Sequence, residues 1–108
     1  MKSAEELARE KVRIQIRLRE TQEQTKLDVR TAILSIRDAA EAVEVQRQTL
    51  DQAREGLRLA EAGYREGTLS QVSVLEARAA LTQSQLFYFR SLYAHATARL
   101  DLERAKGT

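Results

Sequence analysis

Apolar residues recur every seven positions through residues 27–65. The repeat consists of Val29, Ile36, Val43, Leu50, Leu57 and Tyr64. Small residues stand three positions after most of them, at Ala32, Ala39, Ala53 and Ala60, with Gln46 as the polar exception. Such a repeat is typical of a helix that packs along another helix. We therefore predict a long helix with a coiled-coil seam at Val29, Ile36, Val43, Leu50 and Leu57.

The segment before this repeat is less clear. Residues 12–19 alternate strictly between apolar and polar side chains, which by itself is the pattern of a β-strand. Their flanks, EELARE and RETQEQTK, are rich in helix-forming residues and contain no turn signal. We therefore expect the helix to run from about residue 3 to 66, with a strand over residues 11–19 as the alternative.

A turn is predicted over about residues 67–70. Gly67 can adopt the left-handed conformation that ends a helix. Ser70 can cap a second helix by accepting a hydrogen bond from a backbone N–H two or three residues further on. A loop this short brings the second helix, predicted over about 71–105, back antiparallel to the first.

The second helix carries two apolar lines. One recurs every seven residues with partners three positions later, and it gives the predicted seam of this helix: Val72, Leu75, Leu86, Phe89 and Tyr93. The other line lies on another face and consists of Val74, Leu81, Tyr88 and Leu92. One partner helix cannot cover two such faces. The chain therefore requires further helices, from self-association or from other parts of a longer protein.

These elements define an all-α fold, a long antiparallel coiled-coil helical hairpin whose first helix is longer than its second. At about 1.5 Å per residue, a first helix of about 60 residues spans roughly 90 Å and a second of about 35 residues roughly 50 Å. About 25 residues of the first helix thus have no partner within the hairpin. Residues 1–108 are expected to form this one unit.

Composition and charge exclude several functional classes. The chain has no proline and no cysteine, so disulfides and thiol chemistry are excluded. Its 18 basic and 16 acidic residues are interspersed, which indicates a solvated helical surface rather than a nucleic-acid interface. His95 is the one histidine, and we interpret it as a packing or surface residue. No catalytic, cofactor-binding or metal-binding motif is present, and we expect a protein that is not an enzyme.

The turn and second helix resemble the TolC-like outer-membrane efflux channels, whose repeat has the form LAxxxYxxGxxSxxDVLxAxxxL and closes with LxxAxGT. A (E/D)VRxA element on the first helix is matched by residues 28–32. The residues that match the repeat and its ending are Leu59, Ala60, Tyr64, Gly67, Ser70, Val74, Leu75, Ala77, Leu81, Leu102, Ala105, Gly107 and Thr108. The resemblance covers about residues 27–108.

The resemblance implies a role. In that family three protomers form a β-barrel in the outer membrane and an α-helical tunnel across the periplasm, which opens when a periplasmic adaptor and an inner-membrane pump engage it. This chain would be a fragment, one hairpin of the tunnel, with membrane contact only through β-barrel segments absent from it. Gly67, Thr68, Leu69 and Ser70 would contact the adaptor, and Tyr64 would lie at the tunnel mouth. Exported small molecules would be selected mainly by the pump.

Two residues depart from the family pattern. Ser73 replaces an acidic residue, which removes a favourable interaction with the dipole at the start of the second helix. Gly63 stands where a long polar or basic residue is usual, and we expect it to loosen the last turn before the tip.

Two other functions remain open from the sequence. One is the hairpin of a periplasmic efflux adaptor, whose tip also has a glycine followed by a serine but lacks the GT ending. The other is a cytosolic coiled-coil interaction module, which would account for the seven-residue repeats but not for the motif at the turn.

Overall fold

The computed structural model describes residues 3–107, which form two antiparallel α-helices. Helix α1 is Ala4–Glu66 and helix α2 is Gln71–Ala105. The molecule measures 95 × 18 × 18 Å, and its long dimension is what about 63 residues of straight helix would span. The predicted helical hairpin with a longer first helix is confirmed. Residues 1 and 2 and Thr108, the last residue of the resemblance, lie outside the described residues.

Helix α1 begins at a capped end and continues without interruption. The hydroxyl of Ser3 accepts a hydrogen bond from the backbone N–H of Glu6 at 3.3 Å, and Glu5 and Glu6 lie in the first turn, where negative charge is favourable. Residues 11–19 are helical, so the strand alternative is wrong. A strand here would have no neighbour to satisfy its backbone hydrogen bonds, whereas a helix satisfies them internally.

The side of α1 that faces α2 follows the seven-residue repeat. Leu50 is the most buried of these residues, with 4% of its surface exposed, and Ala32 and Ala60 are buried as well. Val29, Ile36, Val43 and Leu57 are half-buried. Alanines between the larger residues let the two backbones approach closely, as a tightly packed helix pair requires.

The side of α2 that faces α1 is not the predicted one. Val72, Leu75, Leu86, Phe89 and Tyr93 are exposed, up to 77% for Tyr93, and they lie on the face of α2 that points away from α1. The predicted seam of α2 is therefore wrong for this hairpin. The face toward α1 contains members of the other line and small residues between them: Val74, Ala77, Leu81, Ser84, Tyr88, Ser91 and Ala98.

The short turn explains this choice. Four residues connect the helices, so α2 cannot rotate freely about its axis, and Val74 is turned toward α1 in its first helical turn. Large and small residues then alternate on that face, which lets them interdigitate with the same alternation on α1. The predicted seam has Leu86 and Phe89 three residues apart, and two bulky side chains there would hold the helices apart.

Helix α1 extends beyond the end of α2. Burial of α1 against α2 begins at Val29, whereas residues 11–28 are exposed throughout. Leu7, Ile14 and Leu18 continue the direction of the seam by helical periodicity and remain more than half exposed. The molecule therefore has two uncovered apolar surfaces, the first part of α1 and the outer face of α2.

We predict that Leu50→Ala lowers the free energy of unfolding by about 2 kcal/mol or more, because it removes a buried side chain and leaves a cavity. Leu59→Ala is the matched control, since Leu59 lies in the same helix but is 54% exposed, and we expect it to change stability by less than about 0.5 kcal/mol. Urea denaturation followed by circular dichroism measures both. Equal effects of the two substitutions would contradict the observed seam.

Candidate functional site

The tip of the hairpin is closed by backbone hydrogen bonds. Gly67 has φ 78° and ψ 12°, the left-handed conformation. The backbone N–H of Thr68 donates to the carbonyl of Gly63 at 2.8 Å, and that of Gly67 donates to the carbonyl of Tyr64 at 3.2 Å. These two bonds form a Schellman motif, which satisfies carbonyls that the end of a helix leaves free.

One carbonyl oxygen organises most of the turn. Besides the Thr68 amide, the oxygen of Gly63 accepts hydrogen bonds from the Leu69 N–H and from the Thr68 hydroxyl, each at 3.1 Å. The Gly67 N–H is directed to the same oxygen, so donors on three successive residues converge on one acceptor. The path of the chain over the tip is therefore fixed by local bonding and does not require a partner.

The first turn of α2 is capped by serine. The hydroxyl of Ser70 accepts a hydrogen bond from the backbone N–H of Ser73 at 3.3 Å, as predicted, and lies 3.2 Å from the Ser73 hydroxyl. No acidic residue is present in this turn. At position 73, a second hydroxyl thus lies close to the cap, in place of a negative charge that would interact with the helix dipole.

Gly63, which we expected to loosen the last turn of α1, is instead a packed position there. It is buried, and the side chain of Leu69 occupies the space beside it, so that a Cβ atom added at Gly63 would lie 2.6 Å from the Cδ1 of Leu69. The tip folds back onto α1 at this position. The missing side chain is what permits the contact.

The predicted tip residues come together in one place. Gly67, Thr68, Leu69 and Ser70 form the exposed turn between the helices, and Tyr64 lies beside it, half exposed, on the last turn of α1. Tyr64 lines a shallow groove on the flank of the tip together with Leu75 and Arg65. The surface at this end of the rod is therefore partly apolar and partly basic.

An ion pair joins the two helices next to this groove. The Nη2 of Arg78 lies 3.7 Å from the Oε1 of Glu61. Both side chains are substantially exposed, so the pair contributes little to stability. Its position between α1 and α2 nevertheless fixes two opposite charges on the wall of the groove.

The carboxylates with a shifted pKa, Glu44 and Glu55, lie on α1 away from the tip. Hydrogen bonds from Arg47 lower the pKa of Glu44, and hydrogen bonds from Arg58 lower the pKa of Glu55. Each pair is spaced three residues apart on the exposed surface of α1. These are helix-surface ion pairs, which hold carboxylates ionised rather than preparing one for proton transfer.

Within residues 3–107, no group of three or more histidine, cysteine, aspartate or glutamate residues is arranged to hold a metal ion. Within the same residues, neither helix has a stretch long and apolar enough to cross a membrane. His95 is half-buried on the face of α2 that carries Tyr88 and Ser91, which is a packing position.

Two features of the site were missed from the sequence. The contact between Gly63 and Leu69 was not predicted, although a glycine four residues before the left-handed Gly67 is a signal for a close approach. The choice of Val74 rather than Val72 or Leu75 for the interior was also missed. An apolar residue four positions after the capping serine was the available signal.

Comparison with known proteins identifies a family. The family model described as outer membrane efflux protein matches residues 1–108, the whole of the chain. No curated protein and no solved structure gives a significant match.

We predict that Gly67→Ala lowers the free energy of unfolding by about 1–2 kcal/mol, the cost of the left-handed conformation for a residue with a Cβ atom. No atom lies within 4 Å of a Cβ added at Gly67, so the effect is conformational and not steric. Gly67→Asn should cost less, because asparagine tolerates this conformation better. Thermal unfolding followed by circular dichroism measures the difference, and equal melting temperatures for the two variants would contradict this explanation.

Proposed function

The chain belongs to the outer membrane efflux protein family, and on this premise we propose that it forms one helical hairpin of the periplasmic tunnel of a trimeric efflux channel. The family is one of transport proteins associated with the outer membrane, so the chain is a component of an efflux channel. In the proposal it is part of a longer protein, and its tip docks with a periplasmic adaptor during export of small molecules.

The proposal rests on one observation, the exposure of large apolar residues on the outer face of α2. Phe89 and Tyr93 are 66% and 77% exposed, and Val72, Leu75 and Leu86 lie on the same face. They repeat at heptad spacing, which is a surface suited to another helix and not to water. A hairpin with a seam on each side of α2 fits a ring of helices, where every helix contacts two neighbours.

The uncovered part of α1 supports the same arrangement. Its apolar residues Leu7, Ile14 and Leu18 continue the seam beyond the end of α2. A further helix placed end to end with α2 would cover them. In the proposal, that helix comes from another segment of the channel, and the long α1 helix connects the upper and lower parts of the tunnel.

The tip is proposed as the contact with the adaptor. Gly67 to Ser70 form a turn that is already ordered by the Gly63 carbonyl, so docking would cost little conformational entropy. Leu69 presents an apolar side chain there, 43% exposed. Tyr64, on the flank of the tip, would face the tunnel mouth. The inner-membrane pump would act through the adaptor, without a direct role for this chain in choosing the substrate.

Family membership favours this function over the two alternatives left open by the sequence. An adaptor hairpin or a cytosolic coiled-coil module could also have a heptad seam. Neither accounts for a match to the efflux family over the whole chain.

The docking proposal predicts a specific cross-link. Because the chain has no cysteine, Thr68→Cys places a single thiol at the tip, and Gln48→Cys places one on the exposed surface far from it. In cells that produce the full-length channel without other reactive cysteines, a bifunctional thiol–amine reagent should join Thr68→Cys to the periplasmic adaptor, identified by mass spectrometry. Gln48→Cys should give no such product. Cross-linking of the tip only to other channel protomers would refute docking.

Export provides a functional test. We predict that Leu69→Glu abolishes efflux in the full-length channel, because a charge replaces the apolar side chain at the contact, while its level in the outer membrane is unchanged. Gly67→Pro should act similarly, since proline cannot adopt a positive φ. Gln48→Glu adds the same charge far from the tip and should leave export intact. Normal resistance to exported compounds in the Leu69→Glu strain would count against the proposal.

A further inference from the structure

The contact between Leu69 and Gly63 lies at the centre of the tip. Leu69 follows the Schellman turn and its side chain returns to the last turns of α1, where Gly63 is buried. The same two residues are joined through the backbone, because the Leu69 N–H donates to the Gly63 carbonyl at 3.1 Å. Side chain and backbone thus hold Leu69 against one position of α1.

No side chain can be added at Gly63 without moving Leu69. A Cβ atom there would lie 2.6 Å from the Cδ1 of Leu69, 2.7 Å from its Cγ and 3.2 Å from its Cβ. A change of the Leu69 rotamer would carry Cδ1 and Cγ away from this point. The Cβ of Leu69 could move only with the backbone, which the hydrogen bonds from the Thr68 and Leu69 amides hold in place.

We propose that Gly63 is a positioning residue that determines the direction of Leu69 and, through it, the shape of the docking surface. With glycine at position 63, Leu69 lies along α1 and presents one side of its side chain, about half of its surface, to a partner. Any larger residue turns Leu69 outward. This inference rests on the proposed docking of the tip, and the partner surface it implies is an apolar one that receives a fixed leucine.

Gly56 offers a matched control for this proposal. It lies seven residues before Gly63, so helical periodicity places both on nearly the same side of α1. A Cβ added at Gly56 would meet nothing within 4 Å. Gly56→Ala therefore measures the general effect of replacing a helical glycine by alanine, which stabilises the helix. Gly63→Ala measures the same effect together with the collision with Leu69.

The first experiment measures the contact without any partner. Hydrogen–deuterium exchange of the tip in the full-length channel should rise by at least about fivefold at the Thr68 and Leu69 amides in Gly63→Ala, because their bonds to the Gly63 carbonyl are weakened. Gly56→Ala should leave that exchange unchanged. In a Leu69→Ala background, Gly63→Ala should cause a much smaller increase, because the Cδ1 and Cγ atoms at 2.6 and 2.7 Å are absent and only the Cβ at 3.2 Å remains. If Gly63→Ala behaves like Gly56→Ala, or if its effect is undiminished in the Leu69→Ala background, the contact does not have this role.

The second experiment measures the consequence for docking. The yield of the cross-link between Thr68→Cys and the adaptor should fall in Gly63→Ala and stay unchanged in Gly56→Ala. If Gly63→Ala raises amide exchange at the tip but leaves the yield of the cross-link unchanged, Gly63 has no role in docking, while docking of the tip itself still stands. Failure of the docking proposal itself is recognised separately, by the absence of a cross-link between Thr68→Cys and the adaptor when Gly63 and Leu69 are both unchanged, together with unaffected export in Leu69→Glu.

Discussion

The hairpin depends on the carbonyl oxygen of Gly63, which accepts hydrogen bonds from the Thr68 and Leu69 amides and from the Thr68 hydroxyl. These bonds end α1 and reverse the chain within four residues. Because the turn is so short, it sets both the antiparallel direction of α2 and the rotation of α2 about its own axis. The residues of α2 that contact α1 follow from that rotation.

The rotation places Val74, Leu81 and Tyr88 inside the hairpin with small residues between them, and leaves the other line of large apolar residues outside it. Ser84, Ser91 and Ala98 are buried, while Phe89 and Tyr93 are exposed. A two-helix pair packed through small residues buries little apolar area, so its stability depends strongly on a few side chains such as Leu50. The more apolar face remains available for another helix, which is the property expected of a part that functions by assembly.

The polar surface contributes little to this arrangement. Pairs such as Arg47 with Glu44 and Arg58 with Glu55 lie within α1 on its exposed side, where water and salt screen the attraction between the charges. They support the helical conformation of α1 and do not connect it to α2. The exposed apolar surface lies instead on the outer face of α2 and at the tip, where the missing side chain of Gly63 makes room for Leu69.

The sequence by itself determined both helices, the turn at Gly67, the cap at Ser70 and the seam side of α1, because these depend on local propensity and on one unambiguous repeat. It also indicated the efflux family through the motif at the turn. It did not determine which face of α2 packs on α1, since two apolar lines satisfied the same period, nor that Leu69 covers Gly63. Only the tertiary structure decided these, because both depend on how closely the two backbones approach, and that distance is set by the turn and the small residues acting together.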